Sequence, residues 1–477
     1  MNFSPPHKLT MTDLGKKTIS VLFMLPLALI LASAAVGSSN YFILIVVSGI
    51  IFFSVLTSFT ASLILIGFAS FFLSYSIWFF NLPGPLINLG YVLILMVLIR
   101  EYFFTANLLP VRTPINTILF AIMGMGLLSI AAGDMGAYPA FKGLFRHIAF
   151  PFLFLLILIA EPDERLMKRL VIGVIIVAFV QVIASAMQFS WYTVIAPKDA
   201  GMRADFSGGI LGYSCGGYNS IFMAMTFALL LGMLIVRGFK LYLAIGAVAL
   251  LAPVFLSSAR AGVPMFAATA LFMLVFAPLP RHGPWMGRLI LATVLTASIL
   301  IIAASGLAGQ TFKDIFDISY ITEYSSKQSD AGMGRLQALD VVSSSLRTPL
   351  EQLVGRGPGA LTPTSITQND ASLIANNPLL FATVTGYAYT TIEIGFVGLV
   401  LFLLLYIQVY RFTRRFLKEI DDPFWESIAL GFQGTIFIYV ISTFYIDSWV
   451  FFPLPFAFWA MAAAIYRIGV LKEILRV

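Results

Sequence analysis

Fourteen separate runs of apolar residues, each long enough to cross a lipid bilayer, leave this chain very few ways to fold. They begin near residues 19, 41, 59, 86, 115, 147, 170, 218, 239, 262, 288, 387, 427 and 450. A hydrocarbon core of about 30 Å is crossed by about 17–23 helical residues. Within it every backbone N–H and C=O must be satisfied internally, which favours helices. The rest of the chain offers no competing soluble core: 60% of its residues are hydrophobic, only 11% are charged, and the mean hydropathy is +0.95. The expected fold is an all-α integral membrane protein of about 14 transmembrane helices. No small-residue cleavage site follows a short apolar segment near the N-terminus, so the run from Ile19 to Val36 reads as the first span and not as a removable leader. Connections such as "GSSN" (37–40) and "NLPGP" (81–85) are short enough for tight turns between antiparallel helices.

Charge gives the orientation. With a cytoplasmic N-terminus, the inner segments collect 19 of the 29 lysines and arginines, among them Lys16 and Lys17, Arg165, Lys168 and Arg169, and Arg467 and Lys472. Short cytoplasmic loops carry such an excess, whereas long translocated loops escape the bias. Five of the other ten sit in one long segment, 307–385. The chain therefore divides into eleven helices over 1–306, a large extracytoplasmic loop over 307–385, and three helices with a cytoplasmic tail over 386–477, both termini being inside. Membrane orientation accounts for the net charge of +7, so nucleic acid is not an expected partner. One cysteine, Cys215, and three histidines, His7, His147 and His282, make neither a disulfide framework nor a cysteine-based metal site. There is no Walker A sequence and no Asp-x-Asp pair, and neither a metal nor another cofactor is expected.

Against that background the outer connections are nearly bare of charge, and the exceptions stand out. Lys142 and Arg146 follow the fifth span, "KDAGMRADFSGG" (198–209) follows the seventh, and Arg260 in "LSSARAG" closes the ninth. Three more arginines, Arg335, Arg347 and Arg356, lie in "GRLQALDVVSSSLRTPLEQLVGRGPG" (334–359). Leu336, Leu339, Val342 and Leu346 recur there at helical spacing, which predicts an amphipathic helix stopping near Thr348-Pro349. "GRGPG" then permits positive φ and close approach to a ligand.

Arg260 is either an interfacial anchor on lipid head groups or a ligand of an anion held between helices. Arg203, ahead of a glycine-rich stretch, is either solvated or part of the same site. Brought together on one side of a membrane, Arg203, Arg260 and Arg335 would repel each other unless an anion joined them. A pyrophosphate offers oxygens that guanidinium forks grip bidentately, and such a cluster stabilises a departing phosphate without a metal.

The order of these segments resembles the polysaccharide polymerase and O-antigen ligase superfamily of bacterial membrane glycosyltransferases. The likeness runs over roughly residues 200–410. It is carried by "SSARAG" (257–262), "GR" (334–335), "TPLEQLVGRGPGAL" (348–361) and "IEIGFVGLVLFLLL" (392–405), the last similar to a Glu-x-Gly-x-x-Gly-Leu pattern. Ligases of the superfamily usually carry a histidine shortly before that glutamate, where this chain has Val384 and Thr385. The acceptor-activating base is thereby left open.

The resemblance implies a multi-pass protein of the bacterial cytoplasmic (inner) membrane that polymerises undecaprenyl-pyrophosphate-linked oligosaccharide repeats on the outer face, releasing undecaprenyl pyrophosphate. Arg203, Arg260 and Arg335 would hold the pyrophosphate, a carboxylate would accept the acceptor's proton, and Glu393 is the first candidate for it. Arg347, Arg356 and Asp370 are secondary candidates. Membrane lipids, a chain-length regulator and other polysaccharide-assembly proteins are the partners such a protein would meet. The rivals are an O-antigen ligase that transfers glycan to a lipid acceptor, a lipid-linked oligosaccharide flippase, and a non-catalytic scaffold subunit.

Overall fold

In a computed structural model of the protein the described residues are 55, 58–79, 88–105, 113–133, 136–191, 207–212, 215–257, 262–275, 340, 342, 344–361, 385–449 and 452–475. The apolar runs near 19, 41 and 288, and the side chains of Arg203, Arg260, Arg335 and Asp370, lie outside them. Among the described residues the regular elements are helical. In chain order they are α1 (Phe59–Phe79), α2 (Leu89–Thr105), α3 (Pro114–Ala132), α4 (Ala137–Ala160), α5 (Glu164–Ser190), α6 (Gly216–Arg237), α7 (Leu241–Ala249), α8 (Ala252–Leu256), α9 (Gly262–Val275), α10 (Pro349–Val354), α11 (Gly386–Glu419), α12 (Pro423–Tyr445) and α13 (Pro453–Leu471), with a 3-10 turn at Gly209–Leu211. Seven of them, α3 to α6 and α11 to α13, are long and apolar enough to cross a membrane. The molecule is a multi-pass α-helical membrane protein.

Helix starts follow local chemistry. Thr113 caps α3 ahead of Pro114, the Asp163 carboxylate accepts from Leu166 N at 2.8 Å to open α5, and Asp422 accepts from Phe424 N at 2.7 Å to open α12.

Three boundaries differ from the expected ones. The helix expected near 147 begins at Ala137 and carries Lys142 and Arg146 within it, not in a connection. Its charges do not end it because Arg146 finds partners inside the bundle, as shown below. The span expected from 239 is broken into α7 and α8, since Pro253 has no N–H to offer the Ala249 carbonyl. In the loop, helical residues at 340, 342, 344 and 345 give way at Leu346, but Pro349 then opens α10. A capping box sets that start: Thr348 Oγ1 accepts from Glu351 N at 3.1 Å, and Glu351 Oε2 accepts from Thr348 N at 3.3 Å.

Helix α6 is the axis of the molecule, buried over its whole membrane-length window. Small residues let α12 lie directly against it: a Cβ on Gly431 would meet the Leu229 Cα at 2.5 Å, and one on Gly232 would meet the Ser427 carbonyl oxygen at 2.3 Å. Helix α5 is peripheral and turns Ile172, Ile176, Ile183 and Met187 outward. Between α1 and α5 an apolar cleft of about 430 Å³ is lined by residues including Gly67, Phe68, Phe71, Leu170, Gly173 and Val177.

Charges gather at the two ends of the bundle. At one, Arg467 donates to the Glu161 and Pro162 carbonyls at 3.0 Å, Glu164 pairs with Lys168 at 2.8 Å and Lys472 at 3.2 Å, and Lys168 reaches Asp422 at 3.5 Å. Lys168, Arg467 and Lys472 are among the cations that the positive-inside rule places in the cytoplasm. The remaining polar groups of interest lie at the opposite end.

Candidate functional site

The site grows from a flaw in α11. Thr385 caps this helix by accepting from Ala388 N at 3.2 Å, and the buried run "GYAYTTIEI" follows. Gly395 then adopts φ 73 and ψ 179, outside helical values, before the helix resumes. The interruption frees the carbonyls of Ile392 and Glu393 from the helical ladder, and buried carbonyls need partners.

The "GRGPGAL" turn supplies them. Arg356 N donates to the Ile392 carbonyl at 2.7 Å, Gly357 N to the Glu393 carbonyl at 3.2 Å, and Ser129 Oγ to that same Glu393 oxygen at 2.7 Å. Only glycine permits the contact: a Cβ on Gly395 would stand 2.1 Å from the Leu353 carbonyl oxygen, and one on Gly355 would stand 2.6 Å from the Glu393 carbonyl. Gly355, Gly357 and Gly359 all have positive φ, which the sequence permits.

Glu393 points into the bundle. Its Oε2 lies 2.8 Å from His147 Nε2, its Oε1 accepts from Leu361 N at 3.0 Å, and the carboxylate is fully buried. A buried carboxylate needs such partners, since an unpaired one is strongly destabilising. In this arrangement Glu393, on α11, ties the turn at 355–361 to α4.

Arg146, the neighbour of His147 on α4, faces a second cluster. Its guanidinium donates to Tyr389 Oη at 3.2 Å, lies 5.1 Å from the centre of that ring, and pairs with Asp447 at 3.2 Å. The other Asp447 oxygen accepts from the Tyr218 hydroxyl. The Arg146 and Asp447 side chains each keep 21% of their surface exposed. Tyr389 also packs on the His147 ring, 5.5 Å between centres, so the two clusters are continuous.

The glycine-rich stretch after Arg203 is held beside them. Gln181 of α5 donates to the Gly208 carbonyl at 2.5 Å and accepts from Ile210 N at 2.8 Å, and Ser207 donates to the Ser185 carbonyl at 3.1 Å. Where the sequence allows either a solvated or an ordered segment, 207–212 is a clamped, buried turn.

Of the expected site residues, Glu393 stands at the centre. Arg356 joins through its backbone amide, and Arg347 is exposed beside the α10 cap, its N–H donating to Glu351 at 2.6 Å. His147, Tyr218, Tyr389 and Asp447 were not singled out as site residues by the sequence. The signal available for Arg146 and Asp447 is that each is a charge at the end of an apolar run.

Fold and site define a helical membrane protein with a buried ionic network under a docked loop. No protein-family model matches the chain, and no curated protein sequence matches it.

Proposed function

We propose that this protein is a membrane glycosyltransferase that polymerises undecaprenyl-pyrophosphate-linked oligosaccharide repeats on the outer face of the bacterial cytoplasmic membrane. In this reading it has about fourteen spans with both termini inside, the segment 307–385 outside, and no metal or cofactor. One observation carries the proposal. Two of the segments that carry the resemblance, "TPLEQLVGRGPGAL" and "IEIGFVG", are distant in sequence yet hydrogen-bonded to each other through Arg356 N, Gly357 N and Leu361 N. A pattern spread along the chain thus acts as one unit, a roof seated on the helix that carries Glu393.

Arg203, Arg260 and Arg335 hold the donor pyrophosphate in this reading, and stabilise it as it departs. The roof keeps water from hydrolysing the donor. The apolar cleft between α1 and α5 suits the hydrocarbon of a polyprenyl tail. Glu393 is the first carboxylate to consider for the acceptor's proton.

The test is to give the purified protein a lipid-linked repeat unit as its only substrate. A ladder of longer glycans, with release of undecaprenyl pyrophosphate, is expected. Transfer only when a separate lipid acceptor is added would make it a ligase. Movement of the unchanged repeat across a vesicle membrane would make it a flippase.

A further inference from the structure

The proton of the attacking hydroxyl needs a receiver, and the Glu393 carboxylate is occupied on both oxygens and closed to solvent. Among the other described carboxylates at this end, Glu351 is committed to the α10 cap, and Asp340 is exposed, where water competes for the same position. Asp447 differs from all three. It lies in the connection between α12 and α13, part-exposed beside the Glu393–His147 pair, with one oxygen fixed by Tyr218 and the other by Arg146. An ionised carboxylate has about four acceptor positions, so two donors orient it and still leave lone pairs for a third.

We infer that Asp447, and not Glu393, takes the acceptor hydroxyl's proton, while Glu393 holds the roof. The inference rests on the glycosyltransferase reading. In the step, the hydroxyl oxygen forms a bond to the donor's anomeric carbon as the bond from that carbon to the pyrophosphate oxygen breaks. The electron pair of the broken bond leaves with undecaprenyl pyrophosphate, and the hydroxyl proton passes to a free lone pair of Asp447. Inverting glycosidases assign a carboxylate this same duty toward water. Arg146 and Tyr218 are positioning residues: their hydrogen bonds to its two oxygens aim Asp447.

The experiment uses the full-length protein in detergent or nanodiscs with a lipid-linked repeat unit, measuring chain growth, donor binding and thermal stability together. Asp447→Asn should keep donor binding and the melting temperature while growth falls at least about a hundredfold. Asp447→Glu keeps the charge opposite Arg146 but displaces the carboxylate by one methylene, and should lose at least about tenfold. In Asp447→Ala, added formate should restore part of the rate, which a purely structural role would not allow. Full turnover by Asp447→Glu or Asp447→Asn, or no response of a donor-binding Asp447→Ala to formate, overturns the inference. If Asp447→Asn does not fold, the Asp447→Glu result decides alone. Wild-type protein that binds donor but never lengthens it overturns the glycosyltransferase reading itself, whereas an active wild type with an active Asp447→Glu overturns only the assignment made here.

Discussion

Glu393 and His147 show what a single pair of side chains does for a surface loop. Replacing Glu393 with glutamine preserves an acceptor for Leu361 N but ends any charge interaction with His147, and breaking a buried pair costs up to about 3–5 kcal/mol. Glu393→Gln is therefore expected to lower the melting temperature and to open the peptide after Arg356 to trypsin, with chain growth falling as the roof loosens. Unchanged melting and unchanged trypsin resistance would show that the carboxylate does not hold the turn. Arg260 makes a different demand. If it grips phosphate oxygens with its planar fork, Arg260→Lys should fail to restore polymer at equal protein level, because a point charge cannot reproduce a bidentate contact. Near-normal polymer from that strain would make Arg260 an interfacial anchor. Glu393 was legible in the sequence because its neighbours, "IEIGFVG", form a local pattern. His147 was not, since its partner comes from 246 positions away and nothing in the intervening spacing records the meeting. Asp447 was hidden for the same reason: Tyr218 and Arg146 reach it from α6 and α4.

The helices were far more legible than the contacts between them. Length and hydropathy locate a span because lipid imposes both, and the runs expected near 59, 115, 218, 262 and 387 begin within a residue or two of observed helix starts. What escaped was fine geometry set by tertiary partners, such as the outward extension of α4 to Ala137 and the opening of α10 at Pro349. Two glycines give a paired test at this scale. Gly395 combines positive φ with a neighbour 2.1 Å from where a Cβ would sit, so Gly395→Ala should destabilise by at least about 2 kcal/mol and unseat the turn at 355–361. Gly173 lies in the interior of α5 with open space around its missing side chain, and Gly173→Ala should stabilise by about 0.5–1 kcal/mol through helix propensity alone. Thermal melts of the two purified variants should therefore shift in opposite directions. Shifts of the same sign would contradict the local account of one of these glycines.

The molecule as a whole has two polar ends, one around Glu164 and Lys168 and the other around Arg146 and Asp447. With Cys215 replaced by alanine, Gln328→Cys should react with a membrane-impermeant thiol reagent in intact spheroplasts, because the proposed topology puts 307–385 beyond the membrane. Labelling only after lysis would reverse the orientation and remove the basis for outer-face chemistry. The enclosed position of α6 bears on how such a chain is made. This helix emerges from the ribosome well before α12, the partner packed along it, so for a long interval its face of Gly232, Ala228 and Leu229 has no neighbour but lipid or an insertion chaperone. Polar groups on the same helix, Asn219 and Thr226 among them, wait with it. A chain cut short before Pro423 would insert most of its spans and still lack a finished centre, making it a substrate for membrane proteases, and the last fifty or so residues would set the lifetime of everything translated before them.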